Sequence, residues 1–223
     1  MDVKRRRIIV PVAAVVAAVG LAAGTAYVLE VPPFERRGVI SSEDVCASLG
    51  ESQKSIPALD DALPSQSEYS FEDRFNGENV AQGGSSYNAY CFVRGESDML
   101  LSVRSQMVLP ESPSSWAADA IGERQAARAE EFDAGSLGVV DFPGLKAAIL
   151  VPCSAPGTVV GGSFSLSVVV NLRPYDGANE EKVRQRLVDL AVGAAQFAHK
   201  DARCDLPSEL PTEAPPVSAA PSG

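Results

Sequence analysis

Apolar and polar positions alternate most clearly in two stretches of the chain. Met99, Leu101, Val103 and Met107 alternate with Leu100, Ser102, Arg104 and Gln106. Phe164, Leu166, Val168, Val170 and Leu172 alternate with Ser165, Ser167, Val169, Asn171 and Arg173. A period of two with one apolar face predicts half-buried strands. Ala147, Ile149, Val151 and Cys153 predict a third strand. Pro152 should close it or sit at an edge, because proline has no ladder donor. "YNAYCFV", around Cys91, predicts a fourth.

The period becomes helical after residue 179. Val183, Leu187, Leu190, Ala191, Ala194, Phe197 and Ala198 form one apolar stripe, with Lys182, Arg186, Asp189 and Gln196 on the other side. Asn179 is a suitable N-cap, and Glu180 and Glu181 suit the positive end of a helix. The spacing predicts a helix over 180–200 lying on the sheet. A shorter helix is expected between Ser42 as N-cap and Gly50 as stop, with Cys46 inside. A middle helix is expected over 114–131 with a thin apolar face of Trp116, Ala120, Ile121 and Ala127, Trp116 being a core anchor. Residues 51–86 read as a long loop with one short helix near 57–63, and Gly83-Gly84 as a flexible point within it.

The strands and helices suggest a β-β-α unit used twice. Each half has a cysteine-bearing strand, a turn-rich loop and a strand containing Leu-Ser-Val, at 101–103 and 166–168. Strand alternation alone could mimic so short a match.

The N-terminus has a different pattern. Residues 8–28, "IIVPVAAVVAAVGLAAGTAYV", carry no charge and follow KRRR at 4–7. At ~1.5 Å per residue, this run spans a bilayer core of ~30 Å. The basic flank places the N-terminus in the cytoplasm. A retained signal anchor is expected. The rival is a signal peptide cleaved near Gly24-Thr25-Ala26, but the apolar run is long for one. The organisation reads as a basic flank (1–7), an anchor (8–28), a linker (29–40) and an extracytoplasmic domain (41–204). The last stretch, 205–223, contains five prolines and few large apolar groups, and is expected to be disordered.

Four cysteines, Cys46, Cys91, Cys153 and Cys204, lie beyond the apolar run. An even count in an oxidising compartment reads as disulfides. Zinc is the rival, but its sites use close cysteine pairs, which this chain lacks. Of three possible connectivities, Cys46–Cys91 with Cys153–Cys204 is expected, since each bridge would tie a helical segment to the first strand of its own half. Cys46–Cys204 with Cys91–Cys153 would instead join the chain ends and the two halves.

Charge narrows the partners. The chain carries 19 basic and 29 acidic side chains. Residues 1–37 hold six and three of these, so the remainder is at net −13. Such a domain repels nucleic acid and anionic headgroups. No nucleic-acid partner is expected.

Catalytic constellations are scarce. The single histidine, His199, falls near a helix C-terminus, where a cation is favourable, and no G-x-S-x-G elbow accompanies it. The carboxylate pairs Asp60-Asp61, Glu130-Glu131 and Glu180-Glu181 are adjacent in sequence, and such neighbours diverge in direction. The glycine pairs at 83–84 and 161–162 lack the spacing of phosphate-binding loops. No catalytic, cofactor-binding or metal-ligating residue is expected, and no cofactor.

The basic flank, the single span, Cys46-x-x-Leu49, Tyr90-Cys91-Phe92-Val93 and the late Cys204-Asp205 together resemble actinobacterial cell-envelope proteins of unknown function. Some of these are lipoproteins with a PsbP-like α/β sandwich. The resemblance, over about 40–204, implies a role at the envelope and supplies no catalytic residues. This chain lacks the lipid-attachment cysteine, so the apolar span would have to anchor it.

The expected fold is α+β, an antiparallel sheet with helices packed on one face. The expected function is a membrane-tethered, non-catalytic module binding an envelope protein or polymer. A carboxylate-based hydrolase or a carrier of a small apolar ligand are the alternatives. The first needs convergent acids in a cleft, the second an apolar cavity between sheet and helices.

Overall fold

The computed structural model describes residues 37–77, 86–96, 98–109, 112–159, 162–175 and 179–217. The expected anchor at 8–28, the glycine pair at 83–84 and the final residues 218–223 lie outside them. Among the described residues, no helix is long and apolar enough to cross a membrane.

One antiparallel sheet of seven strands organises the domain, in the order β1-β2-β3-β7-β6-β5-β4. The strands are β1 (Ser70–Gly77), β2 (Tyr87–Arg94), β3 (Met99–Val108), β4 (Glu130–Phe132), β5 (Leu137–Asp141), β6 (Lys146–Val159) and β7 (Gly162–Leu172). The helices are α1 (Ser52–Ala62), α2 (Pro113–Ile121), α3 (Glu123–Ala126) and α4 (Glu180–Asp201). The fold class is α+β, as the strand and helix periods predict.

The main core lies under α4. Val103, Val168, Val170, Ile149, Leu187 and Leu190 are fully buried within one cluster. Asn179 caps α4, its Oδ1 accepting from the Lys182 amide at 3.0 Å. Helix α1 packs beside α4. The turn before it, Ala47–Leu49, is a single 3₁₀ turn and not the helix expected over 42–50. A ring of contacts at Gly50 and Gly193 brings that turn's backbone against α4.

The expectation of helices on one face fails at α2. Trp116, Ala117 and Ile121 pack on Val139, Ala148 and Leu150, a separate cluster on the opposite face of the sheet. The cause is visible in β6. Ala147, Ile149 and Val151 face the main core, while Ala148 and Leu150 face α2. "AAILV" is apolar at every position, the mark of a strand buried on both sides.

The middle helix is also shorter than 114–131. Ser112 caps α2 with a side-chain bond to the Ser115 amide, and Gly122, at φ +100°, ends it. That left-handed conformation favours glycine. The chain then forms the short α3 and the β4–β5 hairpin. Nor is the β-β-α unit repeated as a structure. Leu101 pairs with Leu172 and Leu166 with Met107, but α2 and α4 lie on opposite faces of the sheet.

Two disulfides close the domain, Cys46–Cys91 and Cys153–Cys204. This is the locally closing pairing. Cys153 sits where the β6–β7 register shifts after Pro152, and β5 pairs with β6 only as far as Leu150. The proline therefore lies at a local edge, where its missing N–H costs no ladder bond.

The freed Cys153 carbonyl accepts from the amides of Asp205 and Leu206 at 2.9 and 3.2 Å. From there the chain runs back along α4. His199 Nε2 meets the Leu206 carbonyl at 2.9 Å. Gln196 donates to the Pro211 carbonyl at 2.5 Å, and Gln185 to the Pro215 carbonyl at 3.1 Å. Gln185 Oε1 accepts from the Val217 amide at 3.0 Å. Leu210, Ala214 and Val217 pack on the core. Residues 205–217 therefore form a strap and not the expected disordered tail. Proline-rich chain is already extended, so ordering it costs less entropy, and amide side chains satisfy its carbonyls.

Candidate functional site

Helix α4 covers one face of the sheet, with α1 packed beside it. Helix α2 covers the other face over β5, β6 and part of β7. No described helix covers the outward side of β1 and β2 or of β3 before Val108, which packs against the α2 cluster. Strand register fixes what this open face presents. Arg74 pairs with Tyr90, and Tyr90 with Arg104. In the next row Glu72 pairs with Phe92, Phe92 with Ser102, and Ser102 with Asn171. On the other side Asn76 pairs with Asn88, Asn88 with Gln106, and Gln106 with Ser167.

These side chains form a stack. The rings of Tyr90 and Phe92 lie 6.1 Å apart at 10°. The Arg104 guanidinium lies 5.8 Å from the Tyr90 centroid, and the Arg74 guanidinium 5.8 Å from that of Phe92. Residues i and i+2 of β2 share a face, which places the rings side by side, and neighbouring strands supply the cations. Glu72 also accepts from Arg74 Nε at 2.7 Å. Among the described residues no carboxylate pairs with Arg104.

Helix α2 forms a wall beside this face. A cleft of about 380 Å³ lies at its foot, lined by Ser102, Arg104, Gln106, Trp116, Asp119 and Asn171 among others. Trp116 is a core anchor, as expected, and more. Its Nε1 donates to Ser167 Oγ at 2.9 Å in a buried bond that ties the wall to β7.

A second cleft, about 330 Å³, lies between α1, α4 and the strap, with Lys54, Ser55, Asp189, Gln196 and Thr212 in its lining. Its charged groups are largely engaged: Lys54 with Glu51, Arg186 with Asp61 and Asp189.

The sequence-derived candidates do not converge. Asp61 binds Lys182 at 2.6 Å and Arg186 at 2.9 Å. Burial works to raise its pKa, but the hydrogen bonds and charges of these two cations outweigh it and hold the carboxyl below its usual range. Glu130 pairs with Arg184, and Glu180 and Glu181 occupy the first turn of α4. His199 holds the strap. The four cysteines form the two bridges. Asp141, buried, is held by Arg128 at 2.8 Å. Among the described residues no three His, Cys, Asp or Glu side chains cluster as a metal site would need. The open face went unnoticed in the sequence because β1 did. Its inward Asp73, bonded to Ser48 Oγ at 2.5 Å, interrupts the apolar alternation of Phe71 and Phe75.

No known protein family, no curated protein and no solved structure matches this chain.

Proposed function

We propose that this chain is a non-catalytic binding module, tethered to the outer side of the cell membrane by residues 8–28. It holds an envelope protein or polymer on the open face of β1, β2 and β3. The observation that carries this reading is the stack of Arg74, Phe92, Tyr90 and Arg104 on a sheet surface that no described helix covers. Two disulfides support an oxidising location. The uncharged run after KRRR supports the tether. The resemblance to envelope proteins supports the compartment. The space an apolar-ligand carrier would use, between sheet and α4, holds fully buried side chains such as Leu101, Leu166, Leu187 and Leu190.

Photo-crosslinking in native cells tests the reading. A photo-reactive residue at position 106 lies on the open face, and one at position 200 lies at the far end of α4. Adducts from 106 with none from 200 are expected. Equal adducts from both, or none from 106, would sink the proposal. Protease added to spheroplasts should digest the domain, and protection would remove the outward orientation.

A further inference from the structure

We infer that the open sheet face binds a linear acidic polysaccharide, laid across the strands along the rows of Arg74, Tyr90 and Arg104 and ending against the wall of α2. This rests on the reading of that face as the binding surface, and adds the ligand's chemistry.

The guanidinium groups of Arg104 and Arg74 lie over the rings of Tyr90 and Phe92, each 5.8 Å from the ring centroid. Arg74 donates to Glu72, but among the described residues Arg104 has no ion-pair or hydrogen-bond partner, and a guanidinium edge matches a carboxylate in a paired geometry. The aromatic stack restrains both arginines before binding, so less rotamer freedom is lost on contact. Glu72 partly occupies Arg74, which leaves Arg104 as the principal anion contact.

Ser102, Gln106 and Asn171 line the adjoining cleft, together with one carboxylate, Asp119 on the α2 wall, which disfavours a ligand carboxylate at that end and leaves it to sugar hydroxyls. Among the described residues none of these three side chains has a hydrogen-bond partner. Amides and hydroxyls donate and accept at once, as sugar hydroxyls do. Such a row suits a polyol carrying scattered carboxylates. A protein partner would call for a buried apolar centre with aromatic anchors. Here the half-buried aromatics already spend their ring faces on arginine and on each other.

The domain is at net −13 beyond residue 37, which opposes any polyanion at long range. Screening limits that opposition to roughly 8 Å at physiological salt, while Arg104 acts in contact. A nucleic acid, with one charge per ~1.7 Å of duplex, would collect the repulsion of the whole domain. A polymer with one carboxylate per sugar collects far less of it.

The test uses the full chain in mild detergent with both disulfides intact. Polygalacturonate is the acidic probe and dextran the neutral one. Binding is followed by interferometry and by the emission of Trp116, the single tryptophan, which lines the cleft. Polygalacturonate should bind at least tenfold more tightly than dextran and shift the Trp116 emission. Its affinity should fall roughly tenfold between 50 and 200 mM salt, as release of about two counterions predicts. Arg104→Gln should weaken binding by about tenfold or more without changing the melting temperature, and Arg104→Lys should restore part of it. Equal binding of dextran, no binding of polygalacturonate, or an affinity indifferent to Arg104→Gln would each overturn the inference. If any of these occurs while position 106 still crosslinks a protein in cells, the binding face stands and its polysaccharide ligand falls. If position 106 crosslinks nothing, both fall.

Discussion

Gly50 and Gly193 meet backbone to backbone. A Cβ on Gly193 would stand 2.8 Å from the carbonyl oxygen of Leu49, and a Cβ on Gly50 2.7 Å from the carbonyl oxygen of Gly193. Alanine in mid-helix ordinarily stabilises by about 1 kcal/mol over glycine. Here the clash is with backbone, which cannot turn aside. Gly193→Ala should therefore destabilise, by about 1–3 kcal/mol, as read from the urea midpoint. A stabilised variant would mean that the turn at 47–49 does not sit against α4.

The bridges make a second prediction. Non-reducing peptide mapping should return Cys46–Cys91 and Cys153–Cys204. Replacing both Cys153 and Cys204 by serine should cost about 2–4 kcal/mol. It should also raise amide exchange at Asp205 and Leu206, whose donors bond to the Cys153 carbonyl. A peptide linking Cys91 to Cys153 would refute the arrangement.

The strap should be measurable in solution. Gln185 and Gln196 reach it near its far end and its middle. The double substitution Gln185→Ala/Gln196→Ala should speed exchange at the Val217 amide and lower stability by roughly 2–4 kcal/mol, four hydrogen bonds to the strap being lost. Exchange at Val217 as fast as in an unfolded peptide, already in the wild type, would argue against a docked strap.

Trp116→Phe removes the buried donor to Ser167 Oγ and leaves that hydroxyl without its partner. A loss of about 1–3 kcal/mol is expected, from the stranded polar group and the lost ring volume. Trp116→Phe with Ser167→Ala should lose less than the sum of the two single changes. Strict additivity would show that the two groups do not interact.

Asp61 carries the acid sensitivity. Its folded pKa is held below the usual value, so its two ion pairs contribute stability that is present above about pH 4 and lost as pH falls through the folded pKa. Asp61→Asn should lower stability at pH 7, by roughly 1 kcal/mol for a partly exposed network. The gap between variant and wild type should narrow toward pH 2. A gap unchanged by acid would rule out the ion pairs as its source.

What the sequence disclosed follows the strength of each physical signal. Helix α4 was legible because its cap, its acidic first turn and its apolar stripe agree. Strands β3, β6 and β7 were legible from their alternation, and the bridges from the placement of cysteines beside those strands. Helix α1 was only partly seen, since Pro57 lies within it. Strand β1 was hidden by the inward Asp73. Strands β4 and β5 were hidden because "EEF" and "LGVVD" are short. The strap was hidden because its bonds come from α4 side chains to backbone carbonyls, which composition does not report. Arg104, Tyr90 and Arg74 were unremarkable until the register of three strands brought them into one row.

The two bridges have a consequence for how the chain matures. Each joins cysteines that are consecutive along the chain, the first to the second and the third to the fourth. A chain emerging N-terminus first into an oxidising space would present Cys46 and Cys91 before Cys153 appears. Bonding in order of arrival therefore produces the native pairs, with no wrong bridge to undo. In such a space the chain would need a donor of oxidising equivalents and no isomerase. Its yield in cells lacking isomerase activity should match the wild type, and in cells lacking the oxidant it should collapse.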